Sequence, residues 1–153
     1  MIRSPLIAAA LMIAPLATAH AQTAPEAPAA APAAEASLTL SFEGVKTREG
    51  ALMIALFDSP EGWASGKPAR VAITFAAADT PKTTIDGLAP GTYAARALQD
   101  VDGNGKMTVN PFGLPVEPYG FTNGAKPNMG SPSFEAAAFT VAPGANAQTI
   151  TLR

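Results

Sequence analysis

Short alternating segments, each closed by a turn residue, run through the chain from residue 37 to its end, and they constrain the fold more than any other feature. Leu38, Leu40 and Phe42 alternate with Thr39, Ser41 and Glu43, the period-2 pattern of a strand with one buried face. Ala51 to Phe57 (ALMIALF) is apolar throughout and too short for a convincing helix, so it predicts a strand buried on both faces. Asp58-Ser59-Pro60-Glu61-Gly62 breaks that run. Val71, Ile73 and Phe75 alternate again, and Thr83 to Ile85 is a short strand ending at Asp86-Gly87. Gly91 to Leu98 (GTYAARAL), Phe134 to Val141 and Gln148 to Leu152 supply the rest. No window of about 11 or more residues keeps a helical period. Single helical turns fit only within Glu61 to Ala69 and Phe134 to Ala138. About seven short strands with a turn signal every ~8–12 residues predict an all-β fold. Its expected form is an antiparallel β-sandwich, Ig-like or prealbumin-like, with one long irregular loop region.

The segments before this domain read differently. Residues 1–21 (MIRSPLIAAALMIAPLATAHA) have a basic start at Arg3, an uncharged apolar run from Pro5 to Thr18, and a small-x-small end at Ala19-His20-Ala21. That is the pattern of a signal peptide cleaved before Gln22, which predicts a periplasmic or secreted bacterial protein. The apolar run falls short of the ~20 residues of a membrane span, so no integral membrane segment is expected after cleavage. Residues 22–36 (QTAPEAPAAAPAAEA) contain only Ala, Pro, Glu, Gln and Thr. Three prolines forbid a continuous helix, and the segment predicts an extended linker. The expected organisation is therefore 1–21 signal peptide, 22–36 linker and 37–153 sandwich.

The composition excludes whole classes of chemistry. Cysteine is absent and His20 is the single histidine, so the mature chain has neither residue. Ser-His-Asp and Cys-His catalysis, zinc sites of the usual kind, His-ligated haem and iron–sulfur clusters are all ruled out. Carboxylate chemistry and hard cations held by oxygen ligands survive. The formal net charge is −2, and removal of Arg3 leaves 9 basic against 12 acidic residues, a net −3. Nucleic acid needs a basic footprint and is not an expected partner.

The candidate functional residues gather between Leu98 and Phe134, where six glycines and five prolines interrupt any strand pattern. Ordered loops of this length in small domains tend to be functional. Asp100-x-Asp102-x-Asn104-Gly105 has the spacing of the first half of an EF-hand loop, with Lys106 offering its carbonyl and Thr108 its hydroxyl. Alternate oxygens of a tight turn point inward, which suits Ca2+. The twelfth position is Pro111 where a bidentate Glu would stand; Asn110 or Glu117, further along, are the substitutes. The other reading of the same residues is a hairpin of Asx-turns that needs no metal. Glu117, Tyr119, Phe121 and Asn123 lie two apart and, in an extended chain, share a face that suits a sugar ring or a peptide. They otherwise cap the open end of the core. Trp63 stands in a Gly-Trp-Ala-Ser-Gly segment between strands, a binding anchor or a closure of the core edge.

Two motifs carry resemblances. Gly87-Leu88-Ala89-Pro90-Gly91-Thr92-Tyr93-Ala94 resembles the L-x-P-G-x-Y signature of transthyretin-like and collagen-adhesin B-type sandwich domains. Pro90-Gly91 makes the turn and Tyr93 enters the core. Further on come Asp100-Val101-Asp102-Gly103-Asn104-Gly105-Lys106, Asn110-Pro111-Phe112-Gly113-Leu114-Pro115, Glu117-Pro118-Tyr119-Gly120-Phe121-Thr122-Asn123 and Pro132-Ser133-Phe134-Glu135-Ala136-Ala137-Ala138-Phe139. This succession closely resembles the exported bacterial family DUF2141 from about Ser37 to Arg153. The resemblance implies a fold and an export route and transfers no catalytic residue. The expected function is an exported, non-enzymatic sandwich module that binds an envelope protein or carbohydrate, or is structural in the envelope. The alternative is a small hydrolase of envelope or extracellular glycans using Asp100, Asp102 and Glu117. Convergence of those three in a pocket would favour the enzyme.

Overall fold

The alternating segments form strands, and most of their apolar faces meet, whereas the alternating Val71, Ile73 and Phe75 are exposed at 62%, 60% and 74%. In the computed structural model, which describes residues 35–127 and 129–153, eight strands build two sheets. They are β1 (Ala36–Glu43), β2 (Ala51–Phe57), β3 (Arg70–Phe75), β4 (Lys82–Leu88), β5 (Gly91–Asp100), β6 (Tyr119–Phe121), β7 (Phe139–Val141) and β8 (Gly144–Thr151). The expected signal peptide and nearly all of the expected linker lie outside the described residues. No helix among those described is long and apolar enough to cross a membrane.

The first sheet has the order β4-β1-β8 and the second β3-β2-β5-β6, with β7 also paired to β5. The sandwich is as expected from the alternation. One pairing is parallel, however: β8 runs beside β1 in the same direction, from Ala36 opposite Gly144 to Glu43 opposite Thr151. The core lies between the sheets. Leu38, Leu40 and Phe42 of β1 meet Leu52, Ile54 and Leu56 of β2 and Tyr93, Ala95 and Ala97 of β5. Tyr93 sits where the motif predicts, its hydroxyl donating to the Ala89 carbonyl at 2.9 Å across the Pro90-Gly91 turn.

Two short helices bracket a second apolar cluster on the far side of the larger sheet. α1 (Pro60–Ser65) is capped by the Ser59 hydroxyl, which accepts from the Gly62 amide, and α2 (Phe134–Ala137) by Ser133. Both occupy the stretches where single helical turns fit. Phe134 to Val141 is thus half helix and half strand. The cluster joins Phe57, Trp63, Ala94, Phe121, Phe134 and Ala137.

Strand alternation makes the two outer faces unlike. The smaller sheet shows Ser37, Thr39, Ser41, Thr84 and Thr149, directly or diagonally paired. The larger sheet shows Met53 beside Ile73 and Leu98, and Ala55 beside Val71 and Arg96. ALMIALF is therefore buried completely on one face only: Leu52, Ile54 and Leu56 are inaccessible, while Ala51, Met53 and Ala55 are half-buried.

Candidate functional site

The outer face of β5 organises the site, because Arg96, Leu98 and Asp100 alternate with the core residues. Asp100 ends the strand, and its carboxylate folds the following turn. Oδ1 accepts from the Asn104 amide at 3.0 Å and Oδ2 from the Gly105 amide at 2.9 Å. Asp102 Oδ1 shares the same Asn104 amide at 3.0 Å, while its Oδ2 accepts from Asn104 Nδ2 at 2.7 Å and Thr108 Oγ1 at 3.0 Å. Asn104 Oδ1 in turn accepts from the Lys106 amide at 2.9 Å. Gly105, at φ 77°, gives the left-handed bend that lets these amides face inward.

A small hairpin tip then brings Glu117 back. Val109 bridges Pro115, the Val116 amide donates to the Thr108 carbonyl at 3.0 Å, and Asn110 Oδ1 accepts from the Phe112 and Leu114 amides. Asn110 therefore holds the tip and does not face the carboxylates. Glu117 does: Oε1 accepts from the Val101 amide and Oε2 from the Thr108 amide, each at 2.9 Å. Asp100, Asp102 and Glu117 place oxygens within 4.8 Å of one another, with Asp100 and Glu117 buried and Asp102 exposed. Four backbone amides on the two buried carboxylates offset part of their mutual repulsion through charge-assisted hydrogen bonds. Desolvation raises the Asp102 pKa, but hydrogen bonds from the Asn104 amide, the Thr108 hydroxyl and the Asn104 side chain outweigh it and hold the carboxyl below its usual range.

The aromatic residues go elsewhere. Of Glu117, Tyr119, Phe121 and Asn123, Tyr119 and Phe121 share a face of β6 and line a common groove, whereas Glu117 turns to the loop and Asn123 falls in a 3-10 turn (Thr122–Gly124) after β6. Asn123 Nδ2 donates to the Ala136 carbonyl at 3.1 Å. Phe121 is buried against Trp63, while Tyr119 stays half-buried, edge-on to Phe121 at 5.8 Å. Trp63, expected on a loop, lies on α1 and is 6% exposed, with Nε1 donating to the Pro132 carbonyl at 2.8 Å. Its ring packs on Phe57 and Phe134 in T-shaped contacts. An amphipathic ring whose one polar atom is satisfied inside closes the core and offers no surface to a ligand.

Between the acidic turn and the aromatic cluster lies a groove of about 970 Å3, at the upper end of the ~300–1,000 Å3 of small-molecule sites. Its floor is Met53, Ala55 and Leu98, and one wall is Met107, Leu114 and Pro115 of the long loop. Arg96 also lines it, with the guanidinium 4.6 Å from the Phe57 ring centre and 5.6 Å from that of Trp63. Burial pulls the Arg96 pKa down from its ordinary value.

The family model described as an uncharacterized protein conserved in bacteria (DUF2141) matches residues 40–150. The chain belongs to the DUF2141 family. The match spans β1 into β8 and takes in the acidic turn and the groove. No curated protein and no solved structure matches the chain. The transthyretin-like likeness of residues 87–94 rests on that motif alone.

Sequence reasoning on this DUF2141 domain misses the groove. By pattern Arg96 and Leu98 belong to a strand, and Met53 to a run expected to be buried on both faces. The available signal was Arg96 itself, a lone charge inside GTYAARAL, opposite a strand apolar on both faces. The long loop of the DUF2141 domain has two jobs that its composition hides: carboxylates hold its base, and its apolar tip walls the groove.

Proposed function

We propose that this DUF2141 domain is an exported, non-catalytic binding module whose groove takes an apolar ligand and whose acidic turn takes Ca2+. The observation that carries the reading is the groove wall: Met107, Leu114 and Pro115 are positioned by a loop whose two ends Glu117 ties together. An exported domain with no His or Cys and an apolar outer face fits a carrier or a docking module better than a catalyst. The three carboxylates do converge, which the hydrolase alternative requires, but none of them lines the groove. For Ca2+, the three carboxylates supply charge and each keeps lone pairs beyond those its amide partners use. A loop with so few charged ligands suits the ~10⁻⁴–10⁻³ M affinities of extracellular modules.

Two measurements test the reading. Nile red, a neutral apolar dye, is expected to bind saturably and to lose most of its binding in Leu98→Gln, while Thr39→Gln on the opposite sheet leaves it intact. Equal binding in all three would place the dye elsewhere and defeat the groove. Calcium at ten times Kd stabilises by about 1.4 kcal/mol, which raises Tm by several degrees for a domain of this size. Asp100→Asn is expected to abolish that shift. Equal Tm in EDTA and millimolar calcium would reduce the acidic turn to a metal-free hairpin.

A further inference from the structure

Among the described residues, Arg96 is the one charged side chain lining the groove. Among the described residues its guanidinium has no ion pair and no hydrogen-bond partner; it lies against the rings of Phe57 and Trp63. Arginine stays protonated even when desolvated. A half-buried cation with five N–H donors, set against two rings, has lost water without gaining an anion. The site therefore offers an apolar trough lined by an unpaired, planar, bidentate donor.

On this basis, and resting on the binding reading above, we infer that the groove holds a free long-chain carboxylate, with its head on Arg96 and its acyl chain along Met53, Leu98, Tyr119 and Leu114. Guanidinium and carboxylate match as a two-bond fork. One cation pairs with one negative charge, so a monoanionic head leaves no surplus charge in an apolar place, whereas a phosphate monoester would. Apolar floor and loop wall suit methylenes, whose burial is favourable. A free ligand fits better than an anionic membrane surface, because the chain's net charge of −2 repels such a surface.

The test uses the exported protein recovered from cells, titrated with lauric acid, methyl laurate and dodecyl phosphate. Equilibrium dialysis gives stoichiometry, and the emission of Trp63, the sole tryptophan, reports on the surroundings of Arg96. Laurate is expected to bind one to one and about ten- to a hundredfold more tightly than its methyl ester, the worth of a charge-assisted pair. Arg96→Met keeps the aliphatic stem on the rings. It is expected to erase that difference by weakening laurate alone. Should Arg96→Met fail to fold, the wild-type ratio of acid to ester still decides. Equal binding of acid and ester overturns the role of Arg96 while leaving an apolar groove. No binding of either, with Nile red still bound, overturns the ligand class; loss of Nile red as well overturns the binding reading with it. Tighter binding of dodecyl phosphate than of laurate overturns the carboxylate. So does binding only to phosphatidylglycerol vesicles, or a dimer seen by sedimentation that closes the groove against laurate.

Discussion

Glu117 accepts the amide proton of Val101, sixteen residues earlier in the chain, at 2.9 Å on Oε1. Its other oxygen takes the Thr108 amide at the same distance. One side chain thus fastens both ends of the acidic turn. Glu117→Ala leaves two loop amides without their acceptor and is expected to cost about 2 kcal/mol; Glu117→Gln keeps one carbonyl oxygen and costs about 1 kcal/mol. Urea midpoints give the two values. Hydrogen exchange is expected to show lost protection at Val101 and Thr108 while β1 and β2 keep theirs. Uniform loss across the strands would mean that the loop is part of the cooperative core.

Trp63 ties the short helices to the larger sheet through three aromatic partners, one cation–π contact and one hydrogen bond: it packs on Phe57, Phe121 and Phe134, lies under the Arg96 guanidinium, and donates to Pro132. Trp63→Ala is expected to cost about 3–5 kcal/mol as a cavity-forming change. Trp63→Phe keeps most of the packing and loses the Nε1 bond, for about 1–2 kcal/mol. Denaturation monitored by circular dichroism checks both. A cost below about 0.5 kcal/mol for Trp63→Ala, the range of ordinary surface changes, would contradict the burial.

Most of the fold was legible because β-sheet alternation is written locally. Leu38-x-Leu40-x-Phe42 names a buried face, but the same alternation in Val71, Ile73 and Phe75 falls on the outward face of β3, because which face is covered depends on the pairing. What local pattern could not carry was pairing. The parallel contact of β1 with β8 joins residues more than a hundred positions apart, and no turn signal marks it. β6 is three residues with a glycine in the middle, a poor strand by propensity. The acidic turn was legible through its Asp-x-Asp-x-Asn-Gly spacing, whereas the closing role of Glu117 depends on a hairpin whose register is tertiary. Trp63 looked like a loop residue because six helical residues are too few to show a period.

Asp102 makes the turn sensitive to acid. Its folded pKa is depressed, so its stabilising contribution is present above the unfolded value near 3.8 and is lost as pH falls through the lower folded value. The side chain is exposed and screened by solvent, so the effect is small. Tm is expected to be flat from pH 7 to about pH 5 as far as this group is concerned and to fall below about pH 4, with Asp102→Asn less steep over the acid range. Parallel profiles for wild type and Asp102→Asn would show that the carboxylate is no better bound in the fold than in the unfolded chain.

Gly120 is required where the larger sheet crosses the end of β8. A Cβ built there would come to 2.5 Å from the Thr151 carbonyl oxygen and 2.7 Å from Ile150 Cγ2. Backbone oxygen cannot swing aside as a flexible side chain can, so β6 and β8 would have to separate. That contact is reinforced by two hydrogen bonds, from the Tyr119 amide to the Arg153 carbonyl at 3.3 Å and from the Arg153 amide to the Tyr119 carbonyl at 3.0 Å. Gly120→Ala is expected to cost about 1–3 kcal/mol by overpacking. Gly91→Ala serves as the control, since its Cβ would meet only the Tyr93 ring at an ordinary 3.7 Å; it is expected to stay within about 0.5 kcal/mol of wild type. Tyr119 neighbours Gly120 and lines the groove, so separating β6 from β8 also displaces a groove wall. The same Gly120→Ala protein is therefore expected to bind Nile red more weakly at a temperature where it remains folded. Unchanged stability would show that β6 yields freely, and unchanged dye binding in a destabilised protein would remove Tyr119 from the groove's working wall.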